Sequence, residues 1–266
     1  MPFTVSHAAA ALPLHRLGKG RLPLSALMIG AMSPDFAYFL SFAAQRVQTH
    51  DFAGLFTFCL PVGLAVWLLF VRVLEQPTVA LLPEPWRSRF TRAPQQINIR
   101  TLAFASLAIV LGALSHDAWD AFTHAFTPVT EVFPLFRARL FEVSGVTVRV
   151  FWLLQILSSL FGAVVLMVWA LRAPSTADAS PACKISHGLP ISNAARFGAA
   201  LAVFATSLCV GISGYLAHPF AAFEGRLFFL LIGGMKGFVI AWTAIAIFVH
   251  RYQRAVRRPL APVWGR

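Results

Sequence analysis

The chain has 266 residues, of which 58% are apolar and 12% charged, and its mean hydropathy is +0.71. Soluble domains run at about 45–50% apolar and about 25% charged, so the composition excludes an ordinary soluble domain and indicates a polytopic helical membrane protein. The net charge of +12 does not argue for nucleic acid. Its basic residues are scattered over several loops, as expected of residues that set topology and face anionic membrane lipid.

Residues 3–17 are apolar but too short to span a bilayer. They predict a short helix capped by Thr4 or Ser6, with His7 in its first turn. Gly18, Lys19 and Gly20 break it. The first full span, 22–44, is interrupted at Gly30–Asp35: Ser33 is expected as N-cap, Pro34 as the first helical residue and Asp35 in the first turn. If Gly20 is the turn of an antiparallel hairpin, a rise of about 1.5 Å per residue brings His7 and Asp35 to one height.

The connector Gln48-Thr49-His50-Asp51 leads to span two (52–72), which contains Pro61 and Gly63. A polar segment, 75–100, precedes span three (101–126). A mixed loop follows at 127–149, with an interfacial helix expected around 133–141. Span four covers 150–171, and a Pro/Ser/Ala-rich linker, 173–194, is expected to be mobile. Spans five (195–218) and six (226–249) precede a basic tail, 251–266. The fold class is therefore all-α: one integral membrane bundle of about six spans plus a short N-terminal helix, with residues 1–126 as the motif-bearing half. Cys59, Cys183 and Cys209 have neither disulfide nor zinc-knuckle spacing. The N-terminus lacks the basic region of a cleaved signal peptide and is expected to be retained.

Six spans divide the basic residues sixteen to five, with Lys236 inside a span. The richer side is expected to be cytoplasmic and to include the C-terminal tail. His50, the Asp120–His124 end of span three, and Asp35 then fall toward the outer face, joined by His7.

Ionisable side chains cost roughly 2.5–3.5 kcal/mol each at the centre of a membrane helix. Span three nevertheless carries Ser115-His116-Asp117-Ala-Trp-Asp120-Ala-Phe-Thr123-His124. At about 100° per residue, Asp120 lies roughly 40° from His116, His124 roughly 80° and Asp117 roughly 100°. Four of the eight histidines (His7, His50, His116, His124) and four of the five aspartates (Asp35, Asp51, Asp117, Asp120) occur in four separated stretches at one expected membrane level. Such a set suits a divalent metal, most plausibly zinc, with His7, Asp35, His50, His116 and Asp120 as the metal ligands. His124 and Asp117 are the expected catalytic groups, a spare carboxylate accepting the proton of an activated water. A proton or ion pathway and a structural polar network use the same residue types. No nucleotide loop, nucleophile elbow or haem motif is present.

Four motifs in order, Met-Pro-Phe-Thr-x-Ser-His7, Ser33-Pro34-Asp35-Phe-x-Tyr-Phe, Thr49-His50-x-x-x-Gly54 and Gly112-x-x-Ser-His116-Asp-x-Trp-Asp120-x-Phe-Thr-His124, resemble an uncharacterised bacterial membrane family, domain of unknown function 4184. More distantly, their order is similar to that of the LexA-binding inner-membrane putative metal-dependent hydrolases. That likeness implies an inner-membrane hydrolase whose metal residues correspond to His7, Asp35, His50, His116 and Asp120. Ala37 and Tyr38 stand where that group has a second acidic residue and a His, so that part of the group's metal set has no counterpart here. Membrane lipid and an amphiphilic substrate are the expected partners.

Overall fold

The computed structural model describes residues 4–39, 49–84, 86–90, 96–143, 146–172, 191–219 and 223–256. Most of the expected linker (173–194), the last part of the basic tail and the end of the first span (40–44) lie outside the described residues. Five helical segments are long and apolar enough to cross a membrane: Phe52–Leu81, Ile99–Val132, Val150–Arg172, Asn193–Leu216 and Gly225–Val256. The first expected span takes a broken form, as α2 (Leu24–Met32), a 3-10 turn (Ser33–Asp35) and α3 (Phe36–Phe39). The chain is a membrane helical bundle divided into two compact units, Met1–Leu68 with Gln96–Arg172 and Leu69–Gln95 with Ala173–Arg266.

The first unit opens with a 3-10 segment, Thr4–Ala10, that runs into α1 (Ala11–Leu17). Lys19 and Gly20 then turn the chain with positive φ, and His15 Nδ1 lies 2.7 Å from the Leu22 carbonyl, closing the turn. α4 (Phe52–Gly54) leads into a π-helical stretch, Leu55–Cys59, and then α5 (Leu60–Leu69). The chain then enters the second unit, where another π stretch, Phe70–Leu74, precedes α6 (Glu75–Leu81), and α7 is Trp86–Phe90. Each π stretch lies just before a proline, Pro61 or Pro77. A proline ring clashes with the carbonyl four residues back and cannot donate to it, and a widened turn relieves both problems. Span two is therefore longer than the expected 52–72.

α8 (Ile99–Thr123) is capped by Asn98, whose side chain accepts the Thr101 N–H at 2.9 Å. It ends at Thr123, so His124 is an extended C-cap residue rather than part of the helix. The loop that follows departs from expectation. α9 (Pro128–Val132) and α10 (Pro134–Arg137) are short, and β1 (Arg139–Val143) pairs antiparallel with β2 (Val146–Arg149). The expected helix over 133–141 is thus confined to α10. Strand-like alternation around Ser144-Gly145 prevails. α11 (Val150–Arg172) leaves Leu157, Leu160, Phe161, Val164 and Met167 exposed, apolar surface that lipid would cover.

In the second unit, α12 (Asn193–Leu216) and α13 (Phe223–Val256) form an antiparallel pair. Its helices touch backbone to backbone: a Cβ at Gly233 would stand 2.6 Å from the Val210 carbonyl, and one at Gly237 2.7 Å from that of Thr206. Small residues permit this approach between membrane helices.

Candidate metal centre

α2 and α8 cross at glycines. A Cβ at Gly30 would lie 2.3 Å from the Ile109 carbonyl oxygen, and one at Gly112 2.4 Å from that of Leu27. This contact sets the Ala31 carbonyl against α8, where His116 Nδ1 donates to it at 2.9 Å. The proton is thereby fixed on Nδ1, and Nε2 keeps its lone pair. Nε2 is buried and makes no hydrogen bond among the described residues.

The α2 break delivers Asp35. Ser33 does not act as the expected cap. The backbone stays helical there, and the Ser33 hydroxyl donates back to the Gly30 carbonyl at 2.8 Å. Asp35 is 0% exposed, and among the described residues neither of its carboxylate oxygens accepts a hydrogen bond. A carboxylate taken out of water without donors is costly by several kcal/mol.

His50 arrives on the connector before α4. Its Nδ1 is 2.8 Å from the hydroxyl of buried Thr49, which leaves Nε2 directed at Asp35 and Asp120. Asp51, from the same stretch, has a different job: its side chain accepts the Gly54 N–H at 2.6 Å and caps α4.

His7 is held from the other side. Ser6 Oγ donates to the Ser159 carbonyl at 2.7 Å, and Gly162 lets α11 approach the Ser6 backbone. The His7 ring stacks on His116 with centroids 3.9 Å apart.

Asp120 lies one turn beyond His116. Its Oδ2 is 3.5 Å from His116 Nε2 and 3.9 Å from His50 Nε2. Its Oδ1 is 3.7 Å from His7 Nε2 and 3.3 Å from His124 Nδ1. Asp35 Oδ1 is 3.3 Å from His50 Nε2 and 3.8 Å from His116 Nε2. All six of these separations exceed the about 2.7–3.2 Å of N–H···O hydrogen bonds. They resemble the roughly 3.3 Å between donors that share a four-coordinate ion at about 2.0–2.2 Å. Two groups of donors lie mutually within 4.8 Å, His7/His116/Asp120 and Asp35/His50/His116. The structure thus brings together all five residues read from the sequence as ligands, and these groups could hold a metal ion.

His124 and Asp117 stand beside them. Gln155, on α11, places its amide nitrogen 2.7 Å from His124 Nε2. With that amide donating, the His124 proton sits on Nδ1 and faces Asp120. Asp117 is half-buried on α8, its Oδ1 buried without a hydrogen bond, and it belongs to neither donor group. Gln155 was not singled out from the sequence. An amide inside the apolar run 150–171 is the signal that could have found it.

The sequence profile of the family described as domain of unknown function 4184 matches residues 1–248, and so covers every residue of this centre. The chain belongs to that family. The family's description assigns no activity. No match was found among curated proteins or among solved structures, so the chemistry rests on the centre itself.

Proposed function

We propose that this protein is a membrane-embedded, metal-dependent hydrolase that cleaves a phosphoester or similar bond in an amphiphilic, lipid-like substrate. The observation that carries the reading is the buried carboxylate of Asp35. Among the described residues it has no hydrogen-bond donor, and it faces two imidazole nitrogens whose opposite ring positions are tied down. A divalent cation satisfies all three at once and balances the two negative charges of Asp35 and Asp120. A purely structural network would favour hydrogen bonds of ordinary length. Zinc suits a set of imidazoles and carboxylates.

When bound, the ion supplies Lewis acidity and an activated water. The chain's own residues do the rest. Ala31 holds a proton on His116 Nδ1, and Thr49 anchors the Nδ1 edge of His50, so that both rings present Nε2 to the carboxylates. His124 Nδ1 faces the outer oxygen of Asp120 at 3.3 Å, and Gln155 holds His124. Asp117 Oδ1 is the proton acceptor, a buried carboxylate oxygen not engaged in either donor group. The apolar surroundings favour a substrate that arrives from the bilayer. The distribution of basic residues favours a cytoplasmic C-terminal tail, and the likeness of the motifs to inner-membrane hydrolases favours a bacterial inner membrane.

The test is elemental analysis of detergent-purified protein beside Asp120→Ala, followed by phospholipid and phosphoester hydrolysis assays. Stoichiometric zinc or manganese in the wild type and its loss in the variant are expected. A wild type that holds no metal after reloading without chelators overturns the reading. pH-dependent ion flux in liposomes would then identify an ion pathway.

A further inference from the structure

We infer that the centre takes one divalent cation per chain, held by His50 Nε2, His116 Nε2, Asp35 Oδ1 and Asp120 Oδ2, and that His7 is not a ligand. The inference rests on the metal reading above and narrows its ligand set from five residues to four.

The first argument is a count of lone pairs. Among the described residues, both donor groups contain His116. Nδ1 of that ring donates to Ala31, so only the Nε2 lone pair remains, and one lone pair binds one ion. Two ions would require a donor group without His116.

The second argument is the direction of the lone pairs. An imidazole lone pair lies in the ring plane, so a bound ion must lie close to that plane. The His7 and His116 rings are stacked, 3.9 Å apart and 25° from parallel. Planes so arranged do not meet within bonding distance of both nitrogens, and the two rings cannot share an ion. The His50 and His116 rings are 62° apart with centroids separated by 5.3 Å, and their planes do converge.

The third argument is which oxygen each nitrogen faces. In the proposed quartet each imidazole nitrogen faces the same two oxygens, Asp35 Oδ1 and Asp120 Oδ2, over 3.3, 3.8, 3.5 and 3.9 Å, from one tetrahedron's edge to slightly beyond it. His7 Nε2 instead faces Asp120 Oδ1, the oxygen that His124 also faces. His7 is therefore a positioning residue. It packs on one ligand ring and faces the outer oxygen of another ligand.

The test loads detergent-purified full-length protein with zinc, and separately with cobalt(II), and measures ions per chain and the cobalt absorption spectrum. One ion per chain is expected in the wild type. His7→Phe, which keeps a ring to stack on His116, is expected to retain it. His50→Cys is expected to gain a near-ultraviolet sulfur-to-cobalt charge-transfer band, and His7→Cys to keep one ion without that band. Two ions per chain, loss of the ion in His7→Phe, or a sulfur band in His7→Cys would each overturn the quartet while leaving the metal reading standing. A wild type that binds neither zinc nor cobalt removes both.

Discussion

The Thr49 hydroxyl, 2.8 Å from His50 Nδ1, shows how much of this centre depends on residues that would never touch an ion. Removing a hydrogen-bond partner behind a metal-binding imidazole typically lowers metal affinity by about 10–100-fold. Thr49→Val is expected to weaken zinc binding by that order, measured by competition with a chelator, with little change in helical content. Gln155→Leu is expected to keep the ion but to reduce hydrolysis, because His124 then loses the donor that fixes its proton on Nδ1. At this scale the ionisable residues were legible in the sequence, since a His or Asp in an apolar run is expensive and therefore conspicuous. Their individual roles were not. Asp51 sits beside His50 yet caps a helix. The pairing of Asp35 with His50 and His116, and of His7 with Asp120, depends on ring orientations that spacing cannot supply.

Helices here are placed by the residues that let them approach, and Gly30 and Gly112 are the clearest case. Gly112→Ala puts a methyl group 2.4 Å from the Leu27 carbonyl oxygen, so α2 or α8 must shift. Overpacking of this kind costs roughly 1–3 kcal/mol. The shift also withdraws the Ala31 carbonyl from His116. The expected outcome is a lower thermal midpoint together with reduced zinc content. Retention of both would show that the crossing does not position the centre. The long apolar helices were readable from hydropathy alone. The α2 break was readable from Pro34, but its geometry was not, because a 3-10 turn keeps helical dihedrals and needs no capping side chain. The β1–β2 hairpin was missed because its alternation is short and begins within two residues of α10.

At the scale of the molecule, every residue of the centre belongs to the first unit. The second unit's helix pair has its own glycine contacts, and among the described residues it supplies no member of either donor group. Gly233→Leu, which drives a side chain into the Val210 carbonyl, is expected to destabilise the protein while the ion remains at one per chain. Loss of the ion would show that the second unit supports the centre. The excess of basic residues on one side predicts that a C-terminal alkaline phosphatase fusion is inactive and a cytoplasmic reporter at the same position active. The reverse pattern would invert the topology.

The small hairpin also serves as a depth gauge. A two-stranded sheet leaves both of its outer edges with unpaired N–H and C=O groups, which hydrocarbon cannot satisfy. β1 and β2 must therefore lie where headgroups or water reach them. They are tied to the end of α8 through α10, whose Phe136 packs edge-on against Phe122 at 5.7 Å. From Thr123, a helical rise of about 1.5 Å per residue carries Asp120 roughly 5 Å and His116 roughly 11 Å below that level. On the hydrolase reading proposed above, a bond cleaved there would lie at the height where a lipid's polar head joins its chains, and the molecule would sort its substrates by how far below the headgroup plane the scissile bond sits.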